Sequence, residues 1–541
     1  MTEEMHPAQN QTPAPAAEPT AASASAPAST PVTTPAPTPA STPTKPPAPL
    51  LECTARDSRF AVLLLALCLF AANCTMLCRM GAGYALSTLL LAGASLVYLR
   101  RVLHFNAWNI LCLSACLLVT ASTAVFGETA MTPYKMLFSW LSGALFLVSA
   151  TNAGASILDD FRALLAPFFL LIGGACPSIS PAARGFAARQ KKGKRLLPVL
   201  GGLLLAVPVV LVLGALLRSA DAAFDAFVSQ FSFNATDVFF TVLLGVGLFV
   251  FFFPLLLAQA KAKKWKDREG PLESVPLLDS ALVVTVLFAV AALYVLYLSS
   301  QLSYLVGGFA GVRPEELTFS VYARRGFGEM CVVCVLNLGL LFVARLFVRR
   351  KDGRLPRAVC AATVFISAFS AFLIAAAIAK MFLYIRTYGL SFLRLSTSVF
   401  MFFLLFVFVA VSVKCFVPKF RHVRAILAVC FVLAVLCSVA DLGAVCTQYN
   451  LHAYESGMHE KIDIDYLYVC GDIAVPALVR LSHAEDETVR TDALSALKAL
   501  RDHRDGDWRS ASAASVRADR LFAENKTAID EAPDERWYRP Y

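Results

Sequence analysis

Two carboxylates, Glu329 and Asp441, stand within or at the edge of apolar runs of this 541-residue chain. A carboxylate is too short to lift its charge far along a helix towards water, so each is a default site, as general base or as partner to a cation. Asn337 lies two turns beyond Glu329 on the same run. Three cations within apolar runs, Arg345, Lys380 and Lys414, lie near the ends of those runs, where long stems snorkel to the surface. Fifteen cysteines suggest thiol or metal chemistry until their placement is considered. Cys331 and Cys334 form a CxxC, and Cys112 and Cys116 sit one helical turn apart, but neither pair has a second Cys or His pair at ligand spacing to complete a tetrahedral site. Most of the cysteines read as small hydrophobes packed between helices, and no metal or cofactor is expected. Cys446 and Cys470 are the pair for which a bridge is worth testing. His104, His422, His452, His459 and His483 have no partner spacing, and the HExxH, GxSxG, Walker A and GxGxxG patterns are absent. The expectation therefore leans away from an enzyme.

The elements that position these residues follow from composition. With 57% hydrophobic and 16% charged residues and a mean hydropathy of +0.63, the chain is not a soluble globular enzyme, a disulfide scaffold or a collagen-like protein. The expected fold class is all-α, a polytopic transmembrane helical bundle of about eleven spans, with a disordered N-terminal tail and a small α-helical C-terminal tail. Residues 1–58 are a Pro, Ala and Thr-rich tail without enough apolar area to offset backbone ordering; 59–446 are the transmembrane domain; 447–541 are an extracytoplasmic helical tail. Runs of ~20 apolar residues predict spans at Phe60–Leu77, Gly81–Leu99, Ala107–Phe126, Lys135–Ser149, Leu196–Leu217, Val238–Ala258, Ala281–Leu305, Phe327–Phe347, Ala358–Leu383, Ser396–Val417 and Ala425–Cys446. The stretch from Ile157 to Cys176 carries Asp159, Asp160 and Arg162 before its apolar part, and reads as interfacial or re-entrant, with a twelfth span as the alternative.

With the N-terminus inside, the inner loops hold twenty-one Lys or Arg and the outer loops eight. That asymmetry places the N-terminus inside and the C-terminus outside a bacterial cytoplasmic membrane. The net charge of +10 divides into −6 for residues 447–541 and +16 for the remainder. The surplus faces lipid headgroups, so the bilayer is the expected partner and nucleic acid is not.

Three stretches carry a family resemblance: Leu216-Leu217-Arg218-Ser219-Ala220-Asp221, Phe319-Ser320-Val321-Tyr322-Ala323-Arg324-Arg325-Gly326-Phe327-Gly328-Glu329, and Tyr384-Ile385-Arg386-Thr387-Tyr388-Gly389-Leu390-Ser391-Phe392-Leu393-Arg394. With Gln448-Tyr449-Asn450 and Asp465-Tyr466-Leu467, they resemble a bacterial multi-pass membrane family known as domain of unknown function forty-one seventy-three, a relative of forty-one fifty-three. The resemblance spans roughly residues 60–482 and implies a cytoplasmic-membrane protein with no assigned activity. All three stretches fall on one side of the topology derived above. Arg218, Asp221, Tyr322, Arg324, Glu329, Tyr384, Tyr388 and Arg394 are thus the candidate outer-face polar site. As a binding site it would take an anionic lipid or envelope-glycan headgroup on arginine; as a structural one it would cap the helix ends.

In the tail, Pro476 opens a helix, and Val489, Ala493, Leu497 and Leu500 form an apolar stripe at helical spacing on the next, with a third from Ala511 to Ala523. This resembles one HEAT-type unit, a surface for a protein partner. The preferred reading is a binding, sensing or scaffold protein of the envelope. The alternatives are a transporter or lipid flippase, hinted at by Pro208 and Pro254 with nearby glycines, and an outer-face transferase using Glu329 or Asp221 as base. On the transferase reading, Glu329→Gln abolishes turnover in a reconstituted assay while the melting temperature holds; a fall in melting temperature instead assigns the carboxylate to structure.

Overall fold

The computed structural model describes residues 54–76, 80–151, 235–261, 279–309, 319–348, 355–504 and 506–533, with single helical positions at 209, 213 and 217. Ten long helices come first: α1 (Ala55–Met76), α2 (Ala82–Leu99), α3 (Ala107–Phe126), α4 (Thr132–Thr151), α5 (Ala235–Lys261), α6 (Ser280–Phe309), α7 (Phe319–Phe347), α8 (Arg357–Tyr388), α9 (Phe392–Phe416) and α10 (His422–Ala440). Six shorter ones follow: α11 (Leu442–Glu455), α12 (Ile464–Cys470), α13 (Val475–Leu481), α14 (Glu487–Asp502), α15 (Ala513–Glu524) and α16 (Lys526–Asp530).

Nine helices among the described residues, α1 to α3 and α5 to α10, are long and apolar enough to cross a membrane. The all-α polytopic bundle expected from the sequence is therefore what forms. The count of eleven differs at two places. Helix α4 has the length but, carrying Lys135, Ser139, Ser142 and Ser149, is not among the nine. The run from Leu196 to Leu217 lies outside the described residues, apart from the helical positions at 209, 213 and 217, as do Ile157–Cys176 and the N-terminal tail.

Helices α1, α2 and α5 pack around Leu64, Cys68, Leu256 and Leu257, and α3 packs against α2 and, through Cys112 and Ala115, against α4. Helices α6 to α9 share a second core around Leu287, Cys334, Ile366 and Phe408. Helix α10 joins the two, against α3 and α4 on one side and α9 on the other. Helix α5 runs unbroken through Pro254. Near its middle Gly245 lets α1 approach, since a Cβ there would meet Leu69 Cδ2 at 2.7 Å.

The two ends of the bundle are closed differently. At one end Asp57 accepts from the Tyr98 hydroxyl at 2.9 Å and pairs with Lys261 Nζ at 3.0 Å, drawing together α1, α2 and α5. The Thr151 hydroxyl donates to Gln259 Oε1 at 2.7 Å nearby, so α4 and α5 finish at the same end and run parallel. At the other end α11 to α16 form a layer with its own core, in which Ala493, Leu497 and Leu500 of the expected stripe are buried with Leu467, Leu478, Ala518 and Phe522. Side-chain caps start its helices: Asp463 for α12, Asp486 for α14 and Ser512 for α15.

The layer meets the bundle through backbone. The amides of Ala82 and Gly83, at the start of α2, donate to Ala511 O at 2.8 Å and Arg509 O at 3.0 Å, which satisfies two of the unpaired donors of that helix end. Arg509, held by Asp507 at 2.6 Å, also reaches Asn73 Oδ1 of α1 at 2.8 Å. Gly81 permits this contact because a Cβ there would lie 2.5 Å from Ser510 O, a backbone atom that cannot step aside. Gly81→Ala therefore separates the layer from α2: hydrogen exchange should quicken at Ala82, Gly83 and residues 509–512, at a stability cost of about 1–3 kcal/mol. Unchanged protection at those amides would contradict the contact.

Candidate functional site

The end of the bundle that carries the layer holds three of the polar residues singled out from the sequence. Tyr384, Tyr388 and Arg394 come together around the α8–α9 turn. The Arg394 guanidinium lies over the Tyr384 ring at 4.2 Å, and the two tyrosine rings meet edge to face at 5.3 Å. Its Nη1 donates to Tyr388 O at 2.8 Å and Gly389 O at 2.6 Å, and its Nη2 to the Tyr384 hydroxyl at 3.3 Å. These acceptors are the carbonyls left open where α8 stops. Gly389 turns the chain there with φ +75°, and a Cβ at that position would be strained and 3.0 Å from Asn450 Oδ1.

Asn450 of α11 then clamps the same turn from the layer, accepting from Leu390 N at 2.8 Å and donating to Leu390 O at 2.7 Å. Tyr466 of α12 accepts from Phe392 N, the first amide of α9, at 3.0 Å. Cys446 and Cys470 flank that tyrosine's hydroxyl as free thiols. Burial pushes Cys446 up to about 11 and raises Cys470 and Tyr466 as well, so all three keep their protons near neutral pH and the thiols are weak nucleophiles.

Glu329 is on α7, exposed, and close enough to Lys380 of α8 to act on it electrostatically. Tyr322 and Arg324 lie on the first turns of the same helix; their side chains, like Arg218 and Asp221 altogether, are outside the described residues. The structure thus brings together three of the eight expected residues, with Asn450 and Tyr466 added from the layer.

Asp441 has a different role from a free carboxylate. It pairs with Lys135 Nζ at 2.8 Å, and neither side chain has any solvent exposure. The same Oδ2 accepts from the Thr129 hydroxyl at 3.0 Å, while Oδ1 caps α11 through the amides of Gly443 at 3.0 Å and Ala444 at 3.4 Å. The Lys135 ammonium also sits 5.1 Å from the centre of the Phe126 ring. Lys135 opens the expected run Lys135–Ser149, and its partner is 306 positions away; that each is a lone charge at the edge of an expected span on the same side is the signal the sequence offers.

A second polar group lies within the spans. Asn337 accepts from the Tyr294 hydroxyl at 2.5 Å and donates to Ser370 Oγ at 2.8 Å, linking α6, α7 and α8. Tyr294 stacks on Phe369 with centroids 3.9 Å apart. The side-chain amide finds partners on both neighbouring helices, an arrangement that sets helix order in an apolar medium.

These features define a polytopic α-helical membrane protein with a helical layer fastened over one end of the bundle. A family model described as Domain of unknown function (DUF4153) matches residues 85–481, more than half of the chain. The chain belongs to that family, the relative named in the sequence resemblance. No curated protein and no solved structure matches it.

Removing one member of the Lys135–Asp441 pair leaves a buried charge alone, at a cost of about 3–5 kcal/mol. Lys135→Met should therefore lower thermal stability in detergent sharply, and Lys135→Met with Asp441→Asn should recover much of the loss, because asparagine keeps the cap and tolerates the positive φ. A double variant no more stable than the single would refute the pairing.

Proposed function

We propose that the protein is a binding or scaffold protein of the bacterial cell envelope, which holds the layer of α11 to α16 in fixed register over the outer end of a transmembrane bundle. The observation that carries this reading is the fastening of the layer at three separate turns: before α2 by Arg509 O and Ala511 O, between α8 and α9 by Asn450 and Tyr466, and at the start of α11 by the Lys135–Asp441 pair. Backbone amides and a buried ion pair are costly to release, which suits a platform better than a gate. The Arg394–Tyr384–Tyr388 cluster serves the same end, since its guanidinium is spent on turn carbonyls. The basic residues Arg100 and Arg101, which lie between α2 and α3 at the opposite end of the bundle, support the outward placement of the layer.

Two measurements test this. A cysteine replacing Met458, 58% exposed in the layer, takes an impermeant maleimide in intact cells above the parent's background, whereas one replacing Arg100 takes it only after permeabilisation; the reverse order sinks the orientation. Spin labels on Leu137 of α4 and Leu393 of α9, both exposed, give a single narrow distance in lipid. A second, longer population would mean that the two halves rock, and would put a transporter or flippase ahead of the scaffold.

A further inference from the structure

Where the layer meets the bundle an open groove of about 630 Å³ lies between the start of α2, the end of α3 and the first turns of α15. Ala82, Ala124 and Val516 make it mostly apolar, and Arg517 and Arg520 line it from α15. These arginines stand at positions i and i+3 and so share a helix face. Both are exposed, and neither guanidinium has an ion-pair or hydrogen-bond partner among the described residues. The nearest acid along the helix, Asp519, is taken by Arg504 at 3.1 Å. Two unpaired arginines side by side are unexpected in a region whose balance is −6.

The position of the groove narrows what fills it. Ala82 and Ala124 are the terminal turns of two membrane-crossing helices, so the groove opens at the level where lipid headgroups lie. Beneath Ala82, α2 exposes Leu86, Leu89, Leu90 and Val97, an apolar track for an acyl chain. At the other side α15 begins, and Ala511, Ser512 and Ala513 at its start line the groove.

We infer that this groove binds the anionic headgroup of a bilayer glycerophospholipid, with Arg517 and Arg520 on its phosphate and its acyl chains along α2. The site is separate from the Arg394 cluster and goes beyond the scaffold reading, which neither depends on it nor falls with it. A free phosphate satisfies the arginines but leaves the apolar floor and the track on α2 uncovered. A zwitterionic lipid fills the floor but offsets the charge.

The test uses the full chain, delipidated and then incubated with equal amounts of phosphatidylglycerol and phosphatidylcholine, with bound lipid counted by native mass spectrometry. Wild type should retain phosphatidylglycerol in preference. Arg517→Gln with Arg520→Gln should reduce that retention by about tenfold or more, as expected for lost charge-assisted hydrogen bonds. Val516→Trp fills the groove with both arginines in place and should reduce it as well; a thermal melt of each variant reports whether it folds. Equal retention of the two lipids by wild type, or unchanged retention in both folded variants, overturns the inference. Displacement of phosphatidylglycerol by millimolar inorganic phosphate would assign the site to a free anion and overturn the lipid assignment.

Discussion

The Lys135–Asp441 pair governs how the two halves of this bundle meet. Taking two charges wholly out of water costs several kcal/mol per ion, and the attraction between them recovers this only if the remaining hydrogen-bonding capacity is also met. Here Thr129, Gly443 and Ala444 meet that of the carboxylate. Such a pair adds little net stability compared with apolar residues of the same shape. What it adds is register: α4 of the first half can lie against the α10–α11 junction in one way that leaves neither charge unpaired. The backbone yields to this need, since Asp441 is the one non-glycine residue among those described with positive φ, at 49°, a conformation that aspartate tolerates better than most.

The same logic extends from the junction to the layer. A helix crossing a bilayer ends with open amides or carbonyls, and water is one way to satisfy them. In this protein the layer does so instead: carbonyls of the 509–511 segment close the start of α2, and Asn450 with Tyr466 closes the α8–α9 turn. The layer therefore depends on the bundle for its orientation and the bundle on the layer for its helix ends. That mutual dependence is why a fixed platform is the stronger functional reading, and why the groove beside α2 has walls from both.

Two polar clusters within the spans are satisfied by their own members. Asn337 is satisfied by Tyr294 and Ser370, and Asp57 by Thr54, Tyr98 and Lys261. Each cluster ties three helices, one in each half, so the order of neighbours is set by hydrogen bonds where lipid supplies no hydrophobic force between helices. Charged residues that look like sites in a membrane sequence can be, as here, the fasteners of the bundle.

The sequence alone determined the class of fold, because apolar runs of the right length have no other stable state in water or lipid, and it determined most span boundaries within a turn. The stripe of Ala493, Leu497 and Leu500 was legible for the same reason, since helical periodicity is a local property. Arg394, Tyr384 and Tyr388 were legible as neighbours because a single turn joins them. Helix α4 was legible as an apolar run, but what covers its serines and Lys135, namely α3 and α10, was not. The pairing of Lys135 with Asp441, the clamp of Asn450 and Tyr466 on the α8–α9 turn, and the groove between α2, α3 and α15 were decided by tertiary structure. Each joins residues tens to hundreds of positions apart, and a contact at that separation exists only once packing has chosen which helix ends lie side by side.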